Sequence, residues 1–283
     1  MKIEEIILKH DTRGISNFSE AIAANSCASA ATLILNNFGK VFITTGFYIL
    51  SAKSAETDGP PGAIALGNAL EKLGYEVIFI TDMYCSSLLN AVRSKESKVI
   101  EFPIADQKTS KEYSAKLLTE ENPNILISIE RCGSSSDYKY RNMRNEDISD
   151  FTAKIDYMFN MHSQTIGIGD GGNEIGMGNI TNQIIKSKTL VEFPTISEVR
   201  NLIIASVSNW GAYGLLAALS IQCNRILLPT KEDQEDLIIK LAQMGAVDGF
   251  SGSSEYKVDG KELEINSQIL QELHNLVTKT INH

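Results

Sequence analysis

Short apolar runs alternate with longer helical segments along most of the chain, and this alternation is the tightest constraint on its fold. The runs lie at residues 41–44, 77–80, 98–102, 125–129, 165–168 and 202–207. Helical spacing and end signals predict helices over 16–37, 62–73, 83–94, 110–120, 148–160 and 212–222. Pro60 and Pro61 open the second of these and Gly74 closes it. Strands separated by helices cannot be joined by hairpins. They pair in parallel, and a parallel sheet needs cover on both faces. The expected fold is therefore α/β: a mostly parallel open sheet with helices on both faces, a Rossmann-like three-layer sandwich. Further helices are expected over 231–244 and 265–280, on either side of a Gly/Ser-rich link at 249–254. We expect one α/β domain spanning 1–283, with 231–283 as a C-terminal helical extension.

Polar residues and glycines cluster just after the runs. Thr45 and Gly46 follow the first, Asp82 the second and Glu130-Arg131 the fourth; Gly169-Asp170-Gly171-Gly172-Asn173-Glu174 follow the fifth and Ser208-Asn209-Trp210-Gly211 the sixth. In an open parallel sheet the carboxyl ends of the strands share one edge, where ligands bind. Turns favour glycine, Asp and Asn anyway, which accounts for the glycines but poorly for Glu130, Arg131 and Trp210. A shared site is the stronger reading.

Composition narrows the partners. Lys plus Arg number 26 against 35 Asp plus Glu, a formal charge of −9. That balance argues against nucleic acid, which needs a cationic surface. A small polar ligand carried with a divalent cation suits it better. The apolar stretch at 202–219 is interrupted by Ser206, Ser208, Asn209 and Gly211, so no membrane span is expected. The four cysteines, Cys27, Cys85, Cys132 and Cys223, lack metal or redox spacing and read as reduced thiols. Met1 to Ile6 has neither the basic start nor the apolar run of a leader, so the expected location is cytoplasmic.

The densest signal is the run from Gly167 to Gly178, which holds six glycines. Gly167, Gly169 and Gly172 formally satisfy G-x-G-x-x-G, but Asp170 stands where a pyrophosphate would go. No organic cofactor is expected. Asp170 and Glu174 point instead to a hard cation, which takes carboxylate oxygens. Glu56 and Asp58, just before Pro60-Pro61, suit the same chemistry, although Asp58 is equally suited to capping the helix that follows. Arg131, Arg141 and Arg144 each carry the planar fork that grips a carboxylate.

Six segments occur in fixed order: Thr44-Thr45-Gly46-Phe47, Glu56 to Ala63, Glu130-Arg131-Cys132-Gly133, Asn142-Met143-Arg144, Ile166 to Gly178 and Val207-Ser208-Asn209-Trp210-Gly211. Together they resemble the D-glutamate cyclase family, specifically its C-terminal catalytic-type domain. The resemblance implies conversion of D-glutamate to 5-oxo-D-proline and water, formally a carbon–oxygen lyase (hydro-lyase) reaction. Larger eukaryotic members carry a further N-terminal domain and a mitochondrial address.

The chemistry assigns expected roles. Closing the lactam joins the substrate's amine to its γ-carboxylate, so a base must deprotonate the amine and an acid must protonate the departing oxygen. Glu130, helped by Asp82, is the expected acid/base, with Asp170 also placed at the reacting centre. Glu56, Asp58, Asp170 and Glu174 are the expected ligands of Mg²⁺ or Mn²⁺. Arg131 or Arg144 would hold the α-carboxylate. Gly171, Gly172 and Asn173 would donate to substrate oxygens, Thr45 and Gly46 would line the site, and Asn209 and Trp210 would close its wall. Two other readings stay open: a metal-dependent phosphohydrolase of small phosphometabolites, and a non-catalytic small-ligand sensor. The apolar helices at 23–35 and 215–219 leave a homo-oligomer open.

Overall fold

The computed structural model describes residues 2–22 and 24–282. Six parallel strands form the central sheet: β1 (Lys40–Thr44), β2 (Glu76–Thr81), β3 (Lys98–Glu101), β4 (Ile125–Ile129), β5 (Thr165–Gly169) and β6 (Asn201–Ile204). Their order across the sheet is β3-β2-β1-β4-β5-β6. Chain direction across the sheet reverses between β1 and β4, and such a switch point opens a crevice at the strand ends. The expected three-layer α/β fold is what the chain adopts.

Strand side chains point alternately to the two faces, and each face has its own core. Val41, Ile43, Val77, Phe79, Ile127 and Ile168 face one layer of helices. Phe42, Ile78, Ile80, Leu126, Leu202 and Ile204 face the other. The first layer holds α1 (Ile3–Ile7), α2 (Ser26–Leu35), α3 (Pro60–Lys72), α4 (Met83–Val92), α8 (Ser208–Gln222), α9 (Lys231–Gln243) and α10 (Leu263–Ile281). The second is thinner: α5 (Gln107–Glu121), α6 (Asp156–Asn160), α7 (Thr181–Ile184) and irregular segments. Each buried Ile, Leu or Val contributes about 1.5–3 kcal/mol.

Helix α8 is the hub. It is buried from Ser208 through Ser220 and packs on α1, α2, α3 and α10. Two glycines set that packing. A Cβ at Gly62 would lie 2.8 Å from the Ala212 Cβ, and one at Gly211 would lie 2.5 Å from Ile168 Cγ2. Without them α3 and α8 could not come this close, nor could α8 lie against β5.

Three expected elements differ. The helix expected over 16–37 is a 3-10 turn at Ile15–Ala21 followed by α2, which starts only at Ser26. Polar residues at 16, 17, 19 and 20 break the apolar period, and residue 23 lies outside the described residues. The helix expected over 148–160 is a short 3-10 turn at Ser149–Phe151 and then α6. The segment between them is held extended, because Ala153 gives its N–H to Asp82 and its carbonyl to Arg131. The strand expected to run to 207 ends at Ile204, and α8 begins at Ser208 rather than 212.

Candidate active site

The strand ends on either side of the switch point carry the polar residues. Asp58, at the entry to α3, accepts the Asn209 N–H on Oδ1 and the Ser208 N–H on Oδ2, both at 2.8 Å. It therefore caps α8, not the helix it precedes. Asn209 answers in kind. Its Oδ1 accepts the Gly62 N–H at 2.7 Å and the Gly59 N–H at 3.1 Å, so it caps α3. The two helices thus share one reciprocal cap, and both positive N-terminal ends face the same point.

Glu130 follows β4 with its backbone in the left-handed region, φ 46°. A side chain other than Gly, Asn or Asp seldom sits there unless its surroundings hold it. Here Ser208 Oγ donates to Glu130 Oε2 at 2.6 Å. The glycine run after β5 folds back on its own carboxylate. Glu174 accepts the Gly171 N–H on Oε1 and the Gly172 N–H on Oε2, both at 2.7 Å. Gly172, at φ 112°, makes that reversal. Beside it, Asp170 Oδ2 accepts from Arg13 Nη2 at 2.8 Å, and the same nitrogen donates to Asp259 Oδ2.

The result is a concentration of buried acid. One oxygen from each of Asp58, Asp170 and Asp259 lies within 4.8 Å of the others, and so does one from each of Glu130, Asp170 and Glu174. Burial and then Asp259 push Asp58 up to about 7, against three backbone N–H bonds that favour its charge. Burial, Asp259 and Asp58 raise Glu56 well above the usual range, and burial with Glu174 and Glu56 does the same to Glu130. Burial also lifts Asp170 well above its ordinary value despite Arg13. For Arg13, burial disfavours the charge, but Asp170 and Asp259 outweigh it and hold the guanidinium more firmly protonated.

Above the acids lies a cavity of about 360 Å³, lined among others by Glu56, Glu130, Asp259, Asn173, Ser206 and Arg144. Two buried acceptors in its wall, Asn173 Oδ1 and Ser206 Oγ, have no hydrogen-bond partner. No ion pair engages Arg144 among the described residues; its backbone N–H donates to Asn142 Oδ1.

A family model described as "D-glutamate cyclase-like, C-terminal" matches residues 3–274. The chain belongs to the D-glutamate cyclase-like family. Among curated proteins, "D-glutamate cyclase, mitochondrial" of Homo sapiens is 27% identical over 296 aligned residues, covering 89% of this chain and 48% of that protein. The chain spans about half the length of that relative. Among solved structures, a short-chain dehydrogenase from Streptomyces avermitilis overlaps 74% of this chain and 63% of its own at 13% identity, with a TM-score of 0.26. That overlap is too loose to carry an argument.

In this D-glutamate cyclase-like chain the fold gathers Glu56, Asp58, Glu130, Asp170, Glu174 and Asn173 at one crevice, with Arg144 at its rim. It takes others away. Arg131, 1% exposed, donates to Asp82 Oδ2 and to Gly46 O, both at 2.6 Å, and to Ala153 O at 2.9 Å. Asp82 and Gly46 are thereby committed to Arg131, whose Nε is buried without a partner, and none of the three lines the cavity. Arg131 pins the loop after β4 to those after β1 and β2. Trp210 is no cavity wall: it is fully buried and its Nε1–H donates to Asn266 Oδ1 at 2.8 Å. Asn209 is spent on the reciprocal cap, and the Gly171 and Gly172 amides on Glu174. Thr45 is fully buried and lies under Gly59.

Two residues of this crevice had no functional signal in the sequence. Arg13 comes from the loop between α1 and the first 3-10 turn. Asp259 comes from the hairpin of Lys257–Val258 and Lys261–Glu262, where Asp259-Gly260 reads only as a turn. The residues present fit a hard divalent cation. The donors are carboxylate oxygens, Ser206 Oγ and Asn173 Oδ1 stand unpartnered beside them, and Gly249 leaves room at Glu56, where a Cβ would lie 2.0 Å from Oε2. No helix among the described residues is long and apolar enough to cross a membrane.

Proposed function

We propose that the chain is an enzyme that closes D-glutamate into 5-oxo-D-proline with loss of water, assisted by Mg²⁺ or Mn²⁺. The observation that carries this is one cavity faced by Glu56, Glu130 and Asp259, backed by the buried carboxylates of Asp58, Asp170 and Glu174, with a free arginine at its rim. Family membership supports it.

The atoms balance without an added reactant. The substrate ammonium has three hydrogens and the lactam nitrogen keeps one; the other two leave with one γ-carboxylate oxygen as water. Both protons must travel from nitrogen to that oxygen, so one carboxyl able to accept and then release a proton suffices. Glu130 is that group. It lines the cavity, and burial with Glu174 and Glu56 raises its pKa, which favours its accepting a proton. Arg144 binds the α-carboxylate at the rim and folds the flexible substrate toward its ring-closing pose. Asp170 and Glu174, beside Glu130, would hold the cation, which when bound would supply polarisation of the γ-carboxylate; Glu56 faces it from the cavity wall, and Asp58 caps α8 behind it.

Phosphoester hydrolysis is less well supported. A phosphate would need the amides of the glycine loop, and Gly171 and Gly172 already give theirs to Glu174.

The test is incubation with D- and L-glutamate, with and without Mn²⁺, followed by chiral detection of 5-oxoproline. The D-product forming only with the cation supports the reading. Phosphate released from a panel of phosphometabolites, with no lactam from either enantiomer, would replace it.

A further inference from the structure

We propose that Arg13 is a built-in second cation: it occupies the outer half of a two-ion carboxylate frame, so that the chain takes one divalent ion, in the inner half, rather than two. The proposal rests on the reading of this cluster as a cation site.

The two halves share Asp170. The inner half is Glu130, Asp170 and Glu174, and the outer is Asp58, Asp170 and Asp259. Two-ion enzymes hold their ions about 3.5–4 Å apart, a gap one bridging carboxylate can span. The halves differ in what they already hold. In the outer half a single nitrogen, Arg13 Nη2, donates to Asp170 and to Asp259. A metal ion bound to those oxygens would need the space that nitrogen fills. In the inner half Glu174 and Glu130 themselves take only neutral donors, the Gly171 and Gly172 amides and the Ser208 hydroxyl, and the Arg13 guanidinium reaches this half only through the shared Asp170. No lysine or arginine pairs with Glu130 or Glu174 among the described residues. The charge there is left for an ion from outside.

Arg13 is held in place from behind. Asp11 Oδ1 accepts its N–H at 2.9 Å and that of Gly14 at 2.8 Å; Asp11 Oδ2 accepts the N–H and hydroxyl of Ser16. Thr189 Oγ1 donates to the Arg13 carbonyl. This loop has no strand or helix of its own and is organised so that the guanidinium reaches the cluster. A guanidinium keeps its charge at any working pH and cannot exchange with solvent ions. Fixing one positive charge in this way leaves the second place for a ligand ion.

The test is a Mn²⁺ count on the whole, chelator-stripped protein by calorimetry and by electron paramagnetic resonance. One Mn²⁺ per wild-type chain, two per R13A chain with a dipole-broadened spectrum, and one again in R13A/D259N supports the proposal. R13K, which restores the charge, is expected to bind one. If R13A does not fold, R13Q reads the same count. Two ions in the wild type, or one in a folded R13A or R13Q, overturns the proposal and leaves the cation reading intact. No ion in either protein overturns the cation reading and this inference with it.

Discussion

At the scale of single residues, chemistry and position have to be read together. Arg131 and Trp210 look functional from sequence because large polar side chains beside a strand end are unusual. Both are instead anchors: Arg131 is bonded to Asp82, Gly46 and Ala153 and Trp210 to Asn266, and neither lines the cavity. The Arg131–Asp82 pair is almost fully buried, so removing either partner leaves an uncompensated charge. R131M or D82N should lower stability by about 3–5 kcal/mol, measured by urea unfolding, while Mn²⁺ affinity of the folded fraction stays within about threefold. Loss of ion binding in a fully stable D82N would return Asp82 to the site. Gly249 makes the opposite case. G249A pushes a methyl against the Glu56 carboxylate and should cut turnover with D-glutamate by at least tenfold; unchanged turnover would remove Glu56 from the site. Glu130, Asp170 and Glu174 were legible because parallel strands put their ends on one rim, and Glu56 and Asp58 because two acids precede the Pro60-Pro61 helix start. Arg13 and Asp259 were not, because they arrive from a coil and from a hairpin that no strand period announces.

At the scale of elements, the strands were read well and the helix boundaries less well. A buried parallel strand advertises itself by a continuous apolar run, and residues 125–129 and 165–168 are cases in point. The helix expected over 148–160 failed because a long-range demand, the Arg131 and Asp82 bonds to Ala153, overrode local preference. The start of α8 was missed for a related reason. Its cap is Asp58, 150 residues away in the chain, not a neighbour. The reciprocal cap predicts that N209A removes the acceptor for Gly59 and Gly62 and costs about 1–2 kcal/mol by chemical denaturation. D58N should cost a similar amount, because the same Asp58 oxygens accept the Ser208 and Asn209 N–H groups. A stable N209A with unchanged unfolding midpoint would show that the cap is dispensable.

At the scale of the whole molecule, the fold confines negative charge and must meet its cost. Asp58 titrates at about 7 in the folded chain against an ordinary 3.8. Between those values the folded state holds a proton the unfolded state has released. Stability from this group is therefore greatest toward the acid end and falls as pH rises through about 7. Raised values at Glu56, Glu130 and Asp170 act in the same direction. In chelator, the melting temperature should fall as pH goes from 5.5 to 8.5, and saturating Mn²⁺ should remove most of that fall. A melting temperature in chelator that rises over this range would contradict the burden assigned to the cluster.

Asp170 belongs to both halves of the carboxylate frame, so D170N is the most direct test of the claim that this frame binds a cation and drives the chemistry. With Mn²⁺ at saturating levels, the account predicts at least about a hundredfold loss of lactam formation from D-glutamate and a loss of Mn²⁺ affinity of at least about tenfold. Turnover and affinity both at the parent level would contradict it.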